Sequence, residues 1–209
     1  MRKNIILLLI GALVVFSVFG CSNSSADNAP AENTVVEAST EVVEVVESGL
    51  VGLGESPILV TSFGQSADVA MLKALFAKTG IEITYDPVVT SEAISDYKTI
   101  VIAAGASTKG LGAAGIKPEE ELERAQLIVD FAIANDIKIV VAHLGGGSRR
   151  GDLSDQFIDI AVSEASGLIV VAEGNEDGYF NTVSEDKSIP LAVVETISSV
   201  VTPLEEAFK

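Results

Sequence analysis

The residues best suited to chemistry lie in one loop, 145–151, which contains three consecutive glycines and two adjacent arginines. Glycine lets a ligand approach the backbone, and arginine offers a two-pronged hydrogen-bond donor to a carboxylate or phosphate. The loop therefore predicts a small-anion site, and of its two arginines we favour Arg149. The alternative is that one arginine pairs with Asp152 or Asp155 and the other lies in solvent. The predicted contacts in this loop are Gly146, Gly147, Ser148, Arg149 and Arg150.

Two further loops offer polar groups to the same ligand. Lys109 follows another apolar run and could add a positive charge. Gln65 and Ser66 stand where a helix is predicted to begin, and there they could donate hydrogen bonds to a ligand. The alternative is structural, because Ser66 and Asp68 are also residues that cap and stabilise a first helical turn.

The single histidine, His143, directly follows the strand that leads into the glycine loop. With Ser66 or Ser107 as nucleophile and Asp152 as the orienting acid, it could serve a hydrolase or transferase. Neither serine stands in a G-x-S-x-G motif, and a histidine at a strand end commonly donates to a neighbouring loop. We therefore expect a binding module without chemistry and keep the enzyme as the alternative.

Weaker patterns complete the set of candidate sites. Residues 110–115 match G-x-G-x-x-G, but no helix is predicted to open there, and we interpret them as a mobile flap. Residues 173–178 resemble the start of a calcium loop without its final glutamate. Tyr179 and Phe180 could form an aromatic wall for a ligand. One histidine without a cysteine partner is a poor zinc set, so we expect no metal and no cofactor.

The N-terminus predicts an address outside the cytoplasm. A basic start precedes an apolar run over residues 4–19, which is short for a membrane span and typical of a signal peptide. Residues 18–21 resemble a bacterial lipobox, from which Phe19 departs. Cys21 is the only cysteine, and its position fits lipid attachment. We expect residues 1–20 to be removed and a lipidated Cys21, carrying palmitate, to anchor the protein in the cell envelope; an ordinary signal peptide is the alternative.

The rest of the chain is strongly acidic. The sequence has a net charge of −17, and removal of residues 1–20 takes away two cations and no acid, which leaves −19. This charge repels nucleic acid and anionic lipids, so we expect no nucleic-acid partner and membrane contact through the lipid alone. Residues 21–55, with seven acids and no base, predict a flexible tether. An envelope protein partner or a dimer is a further hypothesis.

Residues 56–209 alternate apolar runs with helical stripes, the pattern of a single α/β domain with a doubly wound parallel sheet. A last helix is predicted over residues 191–203. The flavodoxin-like order 2-1-3-4-5 is favoured, because the second strand is the more polar one and suits an edge. Ligands then bind beyond the carboxyl ends of the strands. Five strands are predicted, at 57–63, 81–85, 99–104, 138–142 and 167–172.

Three motifs, together with the lipobox and the acidic tether, carry a resemblance. They are Thr-Ser-x-Gly-Gln-Ser-Ala-Asp at 61–68, Ala-Gly-Ala-Ser-x-Lys-Gly at 104–110 and His-x-Gly-Gly-x-x-Arg-Arg at 143–150. Over residues 57–208 the chain resembles an uncharacterised family of small exported bacterial α/β lipoproteins. The resemblance implies a fold and an address, and it implies no activity.

Overall fold

A computed structural model of the chain describes residues 49–209. The predicted signal peptide, the predicted lipid site at Cys21 and the predicted tether as far as Ser48 lie outside the described residues. Within residues 49–209, no helix is long and apolar enough to cross a membrane.

In the described part of the chain, one sheet of six parallel strands is covered on both faces by six α-helices. The strands are β1 (Ile58–Phe63), β2 (Thr84–Tyr85), β3 (Thr99–Ala104), β4 (Lys138–His143), β5 (Gly167–Val171) and β6 (Leu191–Val194). The helices are α1 (Asp68–Thr79), α2 (Thr108–Ala114), α3 (Pro118–Ala134), α4 (Asp152–Ser163), α5 (Tyr179–Lys187) and α6 (Val201–Ala207). Short 3-10 turns occupy residues 91–94, 146–149, 172–175 and 197–200.

The strands follow the order β2-β1-β3-β4-β5-β6. The predicted α/β class and the order of the first five strands are confirmed, and β6 is an additional edge strand. The predicted helix over residues 191–203 is wrong, because β6 pairs with β5 and α6 begins only at Val201. Pro190 disfavours a helical backbone at Ile189, and the four apolar residues after it continue as a strand.

Two segments are more regular than the sequence predicted. Residues 110–115, interpreted as a flap, instead form most of α2 and its C-terminal cap, where Gly115 has a φ of 69°. The Ser107 hydroxyl caps this helix by accepting a hydrogen bond from Gly110 N at 3.1 Å. Residues 179–187, for which we predicted no helix, form α5. In contrast, β2 is shorter than predicted and contains two residues.

The apolar strands are buried on both faces, and their side-chain alternation divides the core into two layers. In β4, Val141 belongs to the layer that contains α3 and α4, whereas Val140 belongs to the layer that contains α1 and α6. The same alternation directs His143 toward the first layer. There its ring lies 5.2 Å from the ring of Phe180, measured between centroids.

Residues 49–55, the last part of the predicted tether, pack against the domain. Leu50 is fully buried. Glu55 exchanges two hydrogen bonds with the Thr99 hydroxyl, one through its N–H at 2.8 Å and one through its carbonyl at 2.9 Å. Since Thr99 begins β3, these contacts attach the segment to the sheet.

Candidate functional site

Four loops meet at the carboxyl edge of the sheet. The loops after β1 and β3 are joined by an antiparallel bridge between Gln65 and Ala106. Ala106 N also donates to the Ser154 hydroxyl in α4 at 3.0 Å. The loop after β4 is linked to the loop after β5 by Arg150, which donates to the carbonyl oxygen of Gly174 at 2.8 Å. These contacts connect the four loops to one another.

The glycine loop after β4 turns back over this edge through the 3-10 turn at 146–149. Gly146 has a φ of 58°, a left-handed conformation that favours glycine. A side chain at Gly145 would collide with the aliphatic part of Arg149. The glycine at 145 thus leaves room for Arg149 to fold back against the loop and toward α1.

Arg150 is fully engaged within the fold. Its Nε donates to Asp155 Oδ1 at 2.9 Å, and its terminal nitrogens donate to Gly174 O and to both carboxylate oxygens of Asp177. Its guanidinium also lies 5.1 Å from the Tyr179 ring centroid. The hydrogen bonds between Arg150 and Asp177 raise the pKa of the arginine and lower the pKa of the aspartate. Arg150 therefore joins two loops and has little left to offer a ligand.

Arg149 makes far fewer contacts. Its one ion pair in the described part of the chain joins Nε to Asp68 Oδ1 at 3.7 Å, which is longer than a hydrogen bond. Its side chain is 29% exposed, and its guanidinium makes no hydrogen bond within residues 49–209. Of the two arginines predicted as anion contacts, Arg149 is the one whose donors are available.

Asp68, the first residue of α1, is only 1% exposed. The positive end of the helix dipole favours a carboxylate there. However, Asp68 Oδ2 has no hydrogen-bond partner within residues 49–209. Burial raises the pKa of Asp68, and the nearby charge of Arg149 opposes that effect. Asp68 is therefore a buried carboxylate with an incomplete set of partners.

His143 is fully buried, and its Nδ1 donates to the Ala104 carbonyl at 2.9 Å. Burial lowers the pKa of His143 and so favours the neutral ring, against the opposing effects of Ala104 and Asp68. Nε2 makes no hydrogen bond in the described part of the chain. Gly174 covers this atom, because a Cβ there would lie 2.6 Å from Nε2.

Neither predicted nucleophile contacts His143. The Ser66 hydroxyl accepts a hydrogen bond from Asp68 N at 3.3 Å, and Ser107 caps α2. Asp152, the predicted orienting acid, is exposed in the first turn of α4. The serine–histidine pair that the hydrolase hypothesis requires is therefore not formed among residues 49–209.

A second buried ion pair, which the sequence did not predict, lies beneath the loop after β1. Glu121 in α3 is fully buried, and its Oε1 accepts hydrogen bonds from Gly64 N at 3.0 Å, Gln65 Nε2 at 2.9 Å and an Arg124 terminal nitrogen at 2.7 Å. Its Oε2 accepts a hydrogen bond from Arg124 Nε at 2.7 Å. We call these four residues the Glu121 brace.

Gln65, a predicted ligand contact, is part of this brace. Its backbone is left-handed, with a φ of 54°, and its Nε2 also donates to the Pro87 carbonyl at 2.8 Å. The side chain therefore holds the loop and is not directed to a ligand. The sequence signal for the brace was the i,i+3 spacing of Glu121 and Arg124, which more often indicates a pair on an exposed helix face.

Two clefts open at the carboxyl edge and share Ser148 and Arg149. The first, about 340 Å³, lies between the start of α2 and the start of α4; we call it the Lys109 cleft. Lys109 is exposed and makes no ion pair within residues 49–209. Asp152 is the acidic residue in its lining, and Arg150 borders it as well.

The second, about 280 Å³, lies between α1 and the loops after β5 and β6; we call it the Asp68 cleft. Its polar lining includes the carboxylates of Asp68, Glu173 and Glu195. Of the predicted glycine contacts, Gly146 is buried and lies outside both clefts, and Gly147 lines a separate depression beside Arg150.

Three weaker sequence patterns have structural roles. Gly110 packs against the Gln65 carbonyl, which leaves no room for a side chain. Asp177, in the acidic turn that resembled a calcium loop, binds Arg150. Phe180 is fully buried beside His143 and does not face a ligand cleft. Residues 49–209 contain no group of three His, Cys, Asp or Glu side chains placed to hold one metal ion.

Comparison with known proteins gives one family match. A family model described as a domain of unknown function (DUF6305) matches residues 55–208. The curated proteins give no match. Among solved structures, a GDSL-like lipase from Bacteroides thetaiotaomicron is 14% identical, with 65% of this chain and 66% of that chain covered and a TM-score of 0.30.

An esterase, EstA, from Pseudoalteromonas sp. is 13% identical, with 66% of this chain and 76% of that chain covered and a TM-score of 0.29. The chain thus spans just under two thirds of the length of the lipase. Likeness at these values carries no argument about activity.

Proposed function

The chain belongs to the DUF6305 family, a domain of unknown function, and on that premise we propose that it binds a small anion in the Lys109 cleft. The anion is a carboxylate or a phosphate. Its contacts are the guanidinium of Arg149 and the ammonium of Lys109. Binding requires no chemical step and no cofactor.

One observation carries the proposal: Arg149 and Lys109 line the same cleft, and neither side chain is hydrogen-bonded to a carboxylate within residues 49–209. Arg149 has its nearest carboxylate oxygen at 3.7 Å, and Lys109 has no ion pair in the described part of the chain. By contrast, Arg124 and Arg150 each bind a carboxylate through hydrogen bonds of 2.7 to 3.0 Å. A planar guanidinium with free donors is suited to the geometry of a carboxylate or phosphate.

The charges around the cleft limit the size of the ligand. Asp152 lies in the same lining, so Lys109 and Arg149 leave a small positive excess. The chain as a whole has a net charge of −17, and its field repels large polyanions. A compact anion with one or two charges fits these conditions best.

Isothermal titration of the full chain with inorganic phosphate and with acetate tests the proposal. We expect saturable binding of at least one of them, weakened at least about tenfold by Arg149→Gln, because a hydrogen bond to a charged group contributes about 1.5–3 kcal/mol. Lys109→Gln should weaken binding by a smaller factor, since an exposed ammonium is strongly hydrated.

Lys78→Gln is the matched control. Lys78 is exposed in the last turn of α1, at the opposite edge of the sheet, and the substitution changes the net charge by the same amount. Its affinity should equal that of the wild type. Equal losses in all three variants would show a nonspecific charge effect, and no heat with either anion would contradict the proposal.

We also propose that the domain is exported and held at the membrane by a lipid on Cys21. The support is the sequence alone, namely the apolar run before a single cysteine and the acidic segment after it. Cys21→Ser should release the protein from the membrane fraction and abolish incorporation of labelled palmitate. Retention of both properties in the variant would contradict lipidation at this residue.

A further inference from the structure

The Asp68 cleft carries a feature that anion binding does not use. Three carboxylates line it, from Asp68, Glu173 and Glu195, and Arg149 is the basic residue in its lining. Glu173 and Glu195 are exposed and have no ion pair within residues 49–209. The two clefts therefore have opposite charge, although they meet at Arg149 and Ser148.

An independent observation points to a ligand here. Asp68 is 1% exposed, lines the cleft, and has an oxygen, Oδ2, without a hydrogen-bond partner in the described part. A buried carboxylate oxygen without a donor is costly, and a positively charged donor relieves that cost most effectively. The nearest protein cation, Arg149, is 3.7 Å from the other oxygen.

We propose that the ligand is a small zwitterion whose ammonium group occupies the Asp68 cleft while its anionic group occupies the Lys109 cleft. Arg149 stands between the two subsites, with Nε toward Asp68 and its free donors available to the anion. The apolar side chains of Met71 and Leu144 line the Asp68 cleft as well and can contact the carbon atoms that carry the amine. This inference rests on the proposed function, because it assigns the second half of the same ligand.

An organic ammonium suits the cleft better than a metal ion. Residues 49–209 contain no three acidic, histidine or cysteine side chains placed around one point, as a metal site requires. An ammonium needs only one acceptor for each N–H group that it directs into the cleft, and its remaining N–H groups can stay hydrated. Asp68 Oδ2 is such an acceptor, and the carboxylates of Glu173 and Glu195 add negative charge to the same lining.

Titration of the full chain with matched pairs tests the inference. The pairs are propanoate with 3-aminopropanoate and ethyl phosphate with 2-aminoethyl phosphate; ethylamine is titrated alone. In at least one pair the zwitterion should bind about tenfold more tightly than its anion, a factor that corresponds to about 1.4 kcal/mol. In the variant with Glu173→Gln and Glu195→Gln, this ratio of affinities should fall toward one. Both residues are exposed, so the variant should fold.

A second double variant, Glu123→Gln with Glu164→Gln, removes the same charge from exposed positions outside the cleft and should keep the ratio. Equal affinities within both pairs would overturn the inference and leave the anion site standing. Binding of ethylamine that depends on Glu173 and Glu195, without binding of any anion, would support the cation subsite and overturn the anion site. Binding of none of the five compounds would overturn both proposals. Calcium is titrated as well, and tight calcium binding at the three carboxylates with no response to the amines would overturn the assignment of an ammonium.

Discussion

Among residues 49–209, two arginine–carboxylate pairs have an essentially inaccessible carboxylate, and they differ in how completely they are hydrogen-bonded. In the Glu121 brace, both carboxylate oxygens accept hydrogen bonds, and Arg124 also donates to the carbonyls of Val89 and Ser62. In the other pair, Arg149 Nε lies 3.7 Å from Asp68 Oδ1. Neither Arg149 Nε nor Asp68 Oδ2 has a hydrogen-bond partner within residues 49–209.

This difference separates a structural pair from a candidate binding pair. A fully bonded buried ion pair recovers much of the free energy lost on desolvation, and removing one member leaves the other charge uncompensated. An incompletely bonded pair keeps donors and acceptors for a ligand and costs stability until the ligand arrives. Both pairs lie beside the loop after β1, so it is the bonding of each pair and not its position that distinguishes their roles.

The largest expected effect comes from breaking the brace. Glu121→Gln should lower the free energy of unfolding by about 3–5 kcal/mol, because Arg124 then remains buried without its counterion. Denaturant unfolding followed by circular dichroism measures this. Glu123→Gln, on the exposed face of the same helix, is the control and should leave stability unchanged. Equal stabilities of the two variants would mean that the brace is dispensable.

The second effect compares the neighbouring arginines. Arg150→Gln should cost about 2 kcal/mol, since it removes charged hydrogen bonds to Asp155 and Asp177 and the contact with Tyr179. Arg149→Gln should cost less, because its pair with Asp68 is not hydrogen-bonded and Asp68 can take up a proton. The same unfolding assay ranks them. A larger loss for Arg149 would reverse the assignment of the structural and the free arginine.

The third effect is a pH dependence from His143. Because burial lowers the pKa of His143 in the folded protein, the unfolded chain binds the proton more readily as the pH falls below about 6.5. The free energy of unfolding should then decrease by at most about 1.4 kcal/mol per pH unit from this group. The chain has one histidine, so its ring resonances in an NMR titration report the folded pKa directly. An apparent pKa at or above the ordinary value would contradict the burial argument.

The smallest expected effect is at Asp68. Burial raises the pKa of Asp68, so its ionisation costs stability as the pH rises above its unfolded value. Asp68→Asn removes that cost and the attraction to Arg149 together, and the free energy of unfolding near pH 7 should stay within about 1 kcal/mol of the wild type or rise slightly. A loss as large as that of Glu121→Gln would show that Asp68 is structural after all. Loss of ligand binding without loss of stability would sharpen the contrast between the two pairs.

Sequence reasoning predicted the edge of the sheet at which the polar loops meet better than it predicted the contacts of the residues within those loops. The sequence favoured Arg149 over Arg150 as the anion contact only as a hypothesis. The hydrogen bonds of Arg150 to Asp155 and Asp177 give a physical reason for it, because they leave Arg150 few donors for a ligand. Gln65 was predicted to face a ligand and instead belongs to the brace. Glu173 and Glu195 were not considered as contacts, because isolated acids in a chain with thirty acidic residues give no signal.

The element boundaries show the same limit. The periodicity of residues 191–203 fitted a helical stripe, yet the first four of them form β6 because the edge of β5 offers free hydrogen-bond partners. Residues 49–55 read as a continuation of the tether, yet Leu50 is buried against the domain. In both places a distant surface, absent from the local pattern, determined the outcome.

The sequence by itself determined the α/β class, the parallel order of its first five strands and the edge at which the polar loops meet. These properties follow from hydrophobic periodicity and from the handedness of crossover connections, which act over short stretches of chain. Only the tertiary structure decided which charges are used within the fold and which remain available. Gly64 and Glu121 are 57 residues apart in the chain, and Arg124 reaches Ser62 across 62 residues. Whether a buried charge is fully bonded depends on such distant donors and acceptors, and no local pattern contains them.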